Sequence, residues 1–221
     1  RENQPFFKWY GKWMLKSLDA FDHFFVQDNA SLIAAEALNL QPVTVSGDTR
    51  FDRVSRQIEM DNTLEFISAF KADQLCVVCG STWPEDEEVF ASFINRHQGM
   101  AKFIIAPHQI KPEKIVALRQ KLKVKTVLFS EKEGKMLSEY DVFIINTIGL
   151  LTKIYSYADV AYIGGALGTT GLHNILEPAT FGIPIAIGNH FEKINENQIK
   201  DLIIKEDSFW LKERYNNVKI S

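Results

Sequence analysis

The sequence predicts an α/β fold: a parallel six-stranded sheet with helices on both faces, preceded by the remnant of a second domain. Three observations predict it. Short apolar, β-branched runs alternate with helical patterns along most of the 221 residues, the arrangement that winds a parallel sheet on both sides. Apolar residues make up 46% of the chain and charged residues 24%, enough to bury a full core. Small and polar residues fall directly after the runs, at the strand ends where open α/β sheets bind ligands.

The elements follow in order. Arg1–Leu18 interleaves Phe6, Phe7, Trp9, Tyr10, Trp13 and Met14 with Lys8, Lys12 and Lys16. As a helix it would have an apolar face and a cationic one, suited either to packing on a neighbouring domain or to an anionic membrane surface. Strand Asp22–Val26, helix Ser31–Leu38 and strand Pro42–Val45 form a β-α-β unit. Turn residues Ser46 to Asp52 then interrupt the pattern and read as a hinge. The expected domains are therefore residues 1–46 and 47–221. In the second, helix Asn62–Phe70 leads to strand Leu75–Cys79, and helix Asp86–Arg96 to strand Phe103–Ala106. Helix Lys111–Lys121 leads to strand Thr126–Phe129, and strand Val142–Ile145 to helix Leu150–Tyr157. Strand Val160–Ile163 precedes helix Asn174–Phe181. Strand Ile183–Ile187 precedes a polar helix near Asn195–Lys205.

Composition narrows the function. A net charge of −3 argues against a general nucleic-acid binder, which would need a basic face. No apolar run approaches the ~18–20 residues of a membrane span, and no signal peptide is recognisable. The chain begins at Arg1 and reads as a fragment. Its two cysteines, Cys76 and Cys79, spell Cys-Val-Val-Cys, which looks like a redox or metal motif. On a strand, residues three apart point to opposite faces, so both are expected in the core. Low cysteine use suits a reducing cytoplasm. No metal or cofactor is expected.

The strand ends carry the chemistry. Gly80-Ser81-Thr82 turns into a helix whose first residues, Thr82-Trp83-Pro84-Glu85, read as a capping box with proline in the first turn. Such an N-terminus offers N–H groups to an anion. His108 follows the second strand, placed to donate to a phosphate or carboxylate. Asn146-Thr147-Ile148-Gly149 follows the fourth and leaves backbone groups free to read a base edge. The richest segment follows the fifth. Gly164, Gly165, Gly168 and Gly171 lie within eight residues, directly before His173, Asn174 and Glu177. Glycines let backbone approach a ligand, and the helix start is open to phosphate. Asn174 and Glu177 share a helix face, and a carboxylate there accepts hydrogen bonds from both hydroxyls of a ribose. A flexible linker is the bland alternative, but apolar strands flank the segment on both sides. A dinucleotide fingerprint would sit at the first strand with an acid ~20 residues on. A P-loop would need Gly-Lys-Ser/Thr. Neither pattern is present.

The run Gly164-Gly165, Thr170-Gly-Leu-His-Asn-Ile-Leu-Glu-Pro-Ala-Thr-Phe-Gly-Ile-Pro184 resembles the hallmark of 3-deoxy-D-manno-octulosonic acid (Kdo) transferases. Gly47-Asp-Thr-Arg-Phe-Asp52, Gly80-Ser-Thr82 and Ala106-Pro-His108 extend the match, and the collinear motifs run from about Phe24 to Glu196. The resemblance implies a GT-B glycosyltransferase of two Rossmann-like domains, with this chain holding the donor-binding one. It implies CMP-Kdo as donor, a lipid A precursor as acceptor, and inversion at the anomeric centre without a metal. It implies a place on the cytoplasmic face of a bacterial inner membrane, with Arg1–Leu18 a possible surface contact and no nucleic-acid partner. Position by position, it puts Glu177 on the ribose with Asn174 in the same Asn-x-x-Glu motif. Asn146, Thr147, Ile148 and Gly149 hold the cytosine. Gly80 and Ser81 face the donor sugar. Gly165, Thr170, Gly171 and His173 surround the phosphate, and His108 stays a candidate on its place after the second strand. Other GT-B enzymes, a UDP-sugar transferase or UDP-sugar 2-epimerase, share much of this pattern, and a non-catalytic nucleotide-binding module is a further reading.

Two positions depart from the family pattern. Pro107 stands where many relatives carry Arg, and Leu150 where many carry Glu. Arg50, Lys153 and Lys193 are candidates to balance donor charge instead. The family's acceptor domain holds its general base, and only the tail of that domain is expected here. Asp52 and Glu85 are the acids expected near the cleft, and neither is assigned as the base.

Overall fold

A computed structural model describes residue 5, residues 8–168 and residues 171–188. The chain divides into two compact units, Arg1–Arg56 and Gln57–Ser221.

In the first unit the expected N-terminal helix is broken into short pieces. A 3-10 turn at Trp9–Gly11 is followed by α1 (Lys12–Leu15) and a second 3-10 turn at Leu18–Ala20. Gly11 sits at the break, and glycine loses more backbone entropy in a helix than any other residue. Next, β1 (Phe24–Val26), α2 (Asn29–Glu36) and β2 (Val43–Val45) form the expected β-α-β unit, with Phe24 opposite Val43 in a parallel pair. Asp28 caps α2, accepting the Ser31 N–H at 2.7 Å. The presumed hinge contains a helix start. Asp48 accepts the Arg50 N–H at 2.9 Å and opens α3 (Thr49–Ser55). Asp is as good a helix cap as a turn former, and only the following residues distinguish the two.

The second unit is the expected sheet. Its elements are α4 (Glu65–Lys71), β3 (Cys76–Thr82), α5 (Pro84–Arg96), β4 (Lys102–Pro107), α6 (Pro112–Lys121) and β5 (Thr126–Leu128). There follow β6 (Val142–Ile144), α7 (Leu151–Ile154), β7 (Val160–Ile163), α8 (Leu176–Ala179) and β8 (Ile185–Ile187). All six strands pair in parallel, in the order β5-β6-β4-β3-β7-β8. The polar helix expected near Asn195–Lys205 lies outside the described residues.

Strand periodicity divides the core into two layers. On one face Cys76, Val78, Ile104, Phe143, Ala161 and Ile163 pack with Ile67 and Phe70 of α4 and Ile154 of α7. On the other, Cys79, Phe103, Ile105, Ile144 and Tyr162 pack with Ala91 and Ile94 of α5 and Ile115 and Leu118 of α6. The two cysteines are free, buried and on opposite faces, as their spacing predicts. Burial pushes the Cys76 thiol up to about 12, so it stays protonated and inert.

The strand order places the site. From β3 the chain moves outward to β4 on one side, and later returns to lay β7 on the other. The β3/β7 boundary is therefore the topological switch point, where the loops diverge and leave a crevice. Gly80 of β3 stands beside Ile163 of β7, so the Gly80 loop and the Gly164 loop emerge side by side.

Candidate functional site

Three strand-end loops meet at this crevice. Trp83 follows β3, His108 follows β4, and His173 lies in the loop after β7. Their rings cluster: His108 stacks on Trp83 at 4.7 Å and lies tilted against His173 at 4.4 Å, centroid to centroid. The Trp83 indole Nε1–H donates to His173 Nε2 at 2.8 Å. The expected phosphate-side histidines are thus brought together, with a tryptophan that the sequence offered no reason to single out. Desolvation, followed by the neighbouring His108, holds the His173 imidazole below its ordinary value, with Asp86 opposing.

The loop after β3 caps its helix one residue later than expected. The N-cap is Trp83, and Asp86 accepts its N–H at 2.8 Å. Thr82 instead lies buried and donates to Glu87 at 3.2 Å. Proline at the first helical position moves the cap from Thr82 to Trp83. Asp86 is fully buried, and its carboxylate also accepts from Tyr162 Oη at 2.6 Å and from the Gly165 N–H at 3.0 Å. One carboxylate thus joins α5, β7 and the glycine loop. Asp86 was absent from the sequence candidates; its signal was an acid three residues after the true cap.

The glycines act mainly on the chain itself. A Cβ on Gly164 would stand 2.3 Å from the Ser81 carbonyl oxygen, and one on Gly165 2.3 Å from that of Gly171. Gly188 is pressed equally close to Ala166. Bare backbone is needed where the loop crosses β3 and doubles back, with the His173 N–H donating to the Gly164 oxygen. Gly80 is buried beneath Tyr155, whose hydroxyl fills the space a Cβ would take. Ser81 is half-buried beside it with φ +52°, a left-handed conformation uncommon outside glycine. Gly171 lies at the loop's return, and Thr170 lies outside the described residues.

The segment after the loop departs from the expected long helix. Only Leu176–Ala179 is α-helical, and Asn174 precedes it. Pro178 within the run removes an amide donor and keeps the helix short. Asn174 Oδ1 accepts the Leu176 N–H at 3.1 Å, so part of the helix start is already occupied. Asn174 and Glu177 nevertheless meet: Asn174 Nδ2 donates to Glu177 Oε1 at 3.3 Å, and Thr152 Oγ1 of α7 donates to Oε2 at 2.9 Å. Both carboxylate oxygens are thereby oriented, each with a lone pair to spare for a ligand hydroxyl.

The loop after β6 is held from its side. Asn146 accepts the Ser130 N–H at 3.1 Å and donates to Ser130 Oγ at 2.9 Å. Its side chain is engaged by Ser130 on both sides of the amide. Thr147 follows, Ile148 is 88% exposed, and Gly149 adopts φ +87°. Of the candidate cations, Arg50 is paired with Asp48, Lys153 lies on α7, and Lys193 is outside the described residues. Pro107 closes β4 in a buried position, and Leu150 packs against the core. Asp52 lies on α3 and Glu85 in the first turn of α5. Among the described residues no group of three or more His, Cys, Asp or Glu could hold a metal ion, and no helix is long and apolar enough to cross a membrane.

The sheet, its switch point and the loops around it define the class of fold: a Rossmann-like parallel α/β domain of the GT-B type. A solved structure with this fold, the C-terminal CMP-Kdo binding domain of WaaA from Acinetobacter baumannii, superposes with TM-score 0.51 at 22% identity, covering 72% of this chain and 79% of that one. The sequence relatives carry the comparison further. A 3-deoxy-D-manno-octulosonic acid transferase of Chlamydophila psittaci is 25% identical over 90% of this chain and 46% of its own length. One from Chlamydia trachomatis serovar A is 30% identical over 59% of this chain and 32% of its own. No family model matches. The chain thus spans less than half the length of these relatives, and its resemblance to Kdo transferases, read first from the Gly164–Pro184 run, is borne out.

Proposed function

We propose that this chain is the donor-binding part of a Kdo transferase, moving Kdo from CMP-Kdo to a lipid A precursor in lipopolysaccharide biosynthesis. The observation that carries the reading is Glu177, oriented by Thr152 and Asn174 just beyond the glycine loop at the switch point. In this reading the main chain of Asn146–Gly149 takes the cytosine, and Glu177 takes the ribose hydroxyls. His173, His108, Gly165, Thr170 and Gly171 take the phosphate, with Gly80 and Ser81 toward the sugar. Donors fixed around the phosphate stabilise the leaving CMP as the bond between the anomeric carbon and the phosphate oxygen breaks. The acceptor hydroxyl attacks that carbon from the opposite side, inverting it, and gives its proton to a base in the acceptor domain. No metal takes part. The enzyme works at the cytoplasmic face of a bacterial inner membrane, where Arg1–Leu18 is a candidate surface contact.

Titration calorimetry of the chain with CMP, UDP and GDP tests the reading. CMP is expected to bind most tightly. Glu177→Ala should weaken CMP binding by roughly 1–3 kcal/mol, the range of lost hydrogen bonds to a charged group. Unchanged CMP affinity in that variant would remove the ribose assignment, and a preference for UDP would move the chain to another GT-B activity.

A further inference from the structure

The three-ring cluster holds a constraint on protonation. An indole N–H is a donor only, so the His173 Nε2 that it meets at 2.8 Å must carry a lone pair. An imidazolium has no such lone pair, and a neutral ring protonated on Nε2 has none there either. One form remains, the neutral ring with its proton on Nδ1. His108, stacked on Trp83 and tilted against His173 at 4.4 Å, limits the ring's rotation. His173 is further fixed by its own N–H to the Gly164 oxygen at 3.3 Å. Among the described residues nothing is hydrogen-bonded to its Nδ1.

From this geometry we infer that Trp83 is a positioning residue of the donor site: its indole locks His173 as the neutral Nδ1–H tautomer, a single directed donor to an anionic or hydroxyl oxygen of the bound nucleotide. The inference rests on the donor-site reading above. Burial beside a second histidine, which disfavours the charged ring, acts in the same direction. The lock lets the site offer a hydrogen bond without a mobile proton. It also ties the loop after β3 to the loop after β7, so that reorienting one ring reorients the other. Trp83 itself need not touch the ligand.

The test is nitrogen-15 NMR of the histidine side chains in the full chain at neutral pH, with Trp83→Phe as the variant. Phenylalanine keeps an aromatic ring against His108 and removes the donor along with the second ring of the indole. The unsubstituted chain should show His173 protonated on Nδ1 and bare on Nε2. A doubly protonated ring or the opposite tautomer overturns the lock without any variant. In Trp83→Phe the two His173 nitrogens should move toward an averaged pattern, and CMP affinity should fall roughly fivefold, on the scale of one neutral hydrogen bond. Shifts that do not move also overturn the lock. Moved shifts with unchanged CMP affinity overturn the positioning role. Failure of the unsubstituted chain to bind CMP would sink the donor-site reading and the positioning role together, while the nitrogen shifts still judge the tautomer by themselves.

Discussion

Two neighbouring carboxylates, Asp86 and Glu87, show how a single position in a helix decides what an acid does. Asp86, three residues after the cap, collects donors from three elements and serves as a structural anchor. Glu87, one residue on, is buried with the Thr82 hydroxyl as its hydrogen-bond donor. Burial raises its pKa above the ordinary glutamate range, with the Thr82 bond and Lys121 opposing. A carboxyl raised in this way favours folding while protonated, and that contribution is lost as pH rises through its folded value. Glu87→Gln removes the ionisation and keeps an acceptor for Thr82. Urea unfolding should therefore find the variant more stable than the parent at pH 7, with the gap closing as pH falls below about 4, where the parent carboxyl becomes protonated in both states. A variant less stable at pH 7 would mean that the ionised carboxylate is well compensated. Glu177 contrasts with both: half-buried and oriented by two side chains, it keeps the capacity a ligand needs.

At the scale of elements, the close crossings of loop and strand matter most. β3 carries Gly80 under the Tyr155 hydroxyl, which would stand 1.9 Å from an added Cβ, with the ring carbon behind it at 2.9 Å. Tyr155 is itself almost wholly buried, so neither group has room to yield. Gly80→Ala should cost about 1–3 kcal/mol, the usual scale of overpacking. In a Tyr155→Phe background the same change should cost less, because the nearest clash is gone, though the ring keeps the cost above zero. Equal costs in the two backgrounds, measured by denaturant unfolding as a double-mutant cycle, would disprove the contact. The same logic explains the short α8. With Pro178 inside it and Asn174 occupying an amide at its start, it contributes a bend that aims Glu177 rather than a long dipole aimed at a phosphate.

For the whole molecule, every residue assigned to the nucleotide lies in the unit Gln57–Ser221, which has its own two-layered core. Residues 57–221 alone are therefore expected to fold cooperatively and to bind CMP within about threefold of the full chain, less than 1 kcal/mol, as measured by calorimetry. A much larger loss would place a nucleotide contact in Arg1–Arg56. Much of this was legible beforehand. Alternation of apolar runs and helical patterns is a local property, so all six strands and the segregation of Cys76 from Cys79 followed from the residues alone. The rule that ligands sit past strand ends then picked out Gly164–Glu177, and the Thr170–Pro184 run carried the resemblance to Kdo transferases. What was not legible depended on distance in space. Trp83 meets His173 across 90 residues of sequence, Asp86 reaches Gly165 across 79, and Thr152 reaches Glu177 across 25. Periodicity and spacing report only on neighbours along the chain. Which loops share the crevice depends on strand order, and laying β7 beside β3 rather than at the far edge is a choice made by the packed sheet. Sequence alone thus determined the kind of sheet and the segment that lies past the end of β7 at the switch point. The tertiary structure decided which side chains hold that segment in place, because those bonds exist only once β3, β4 and β7 lie side by side.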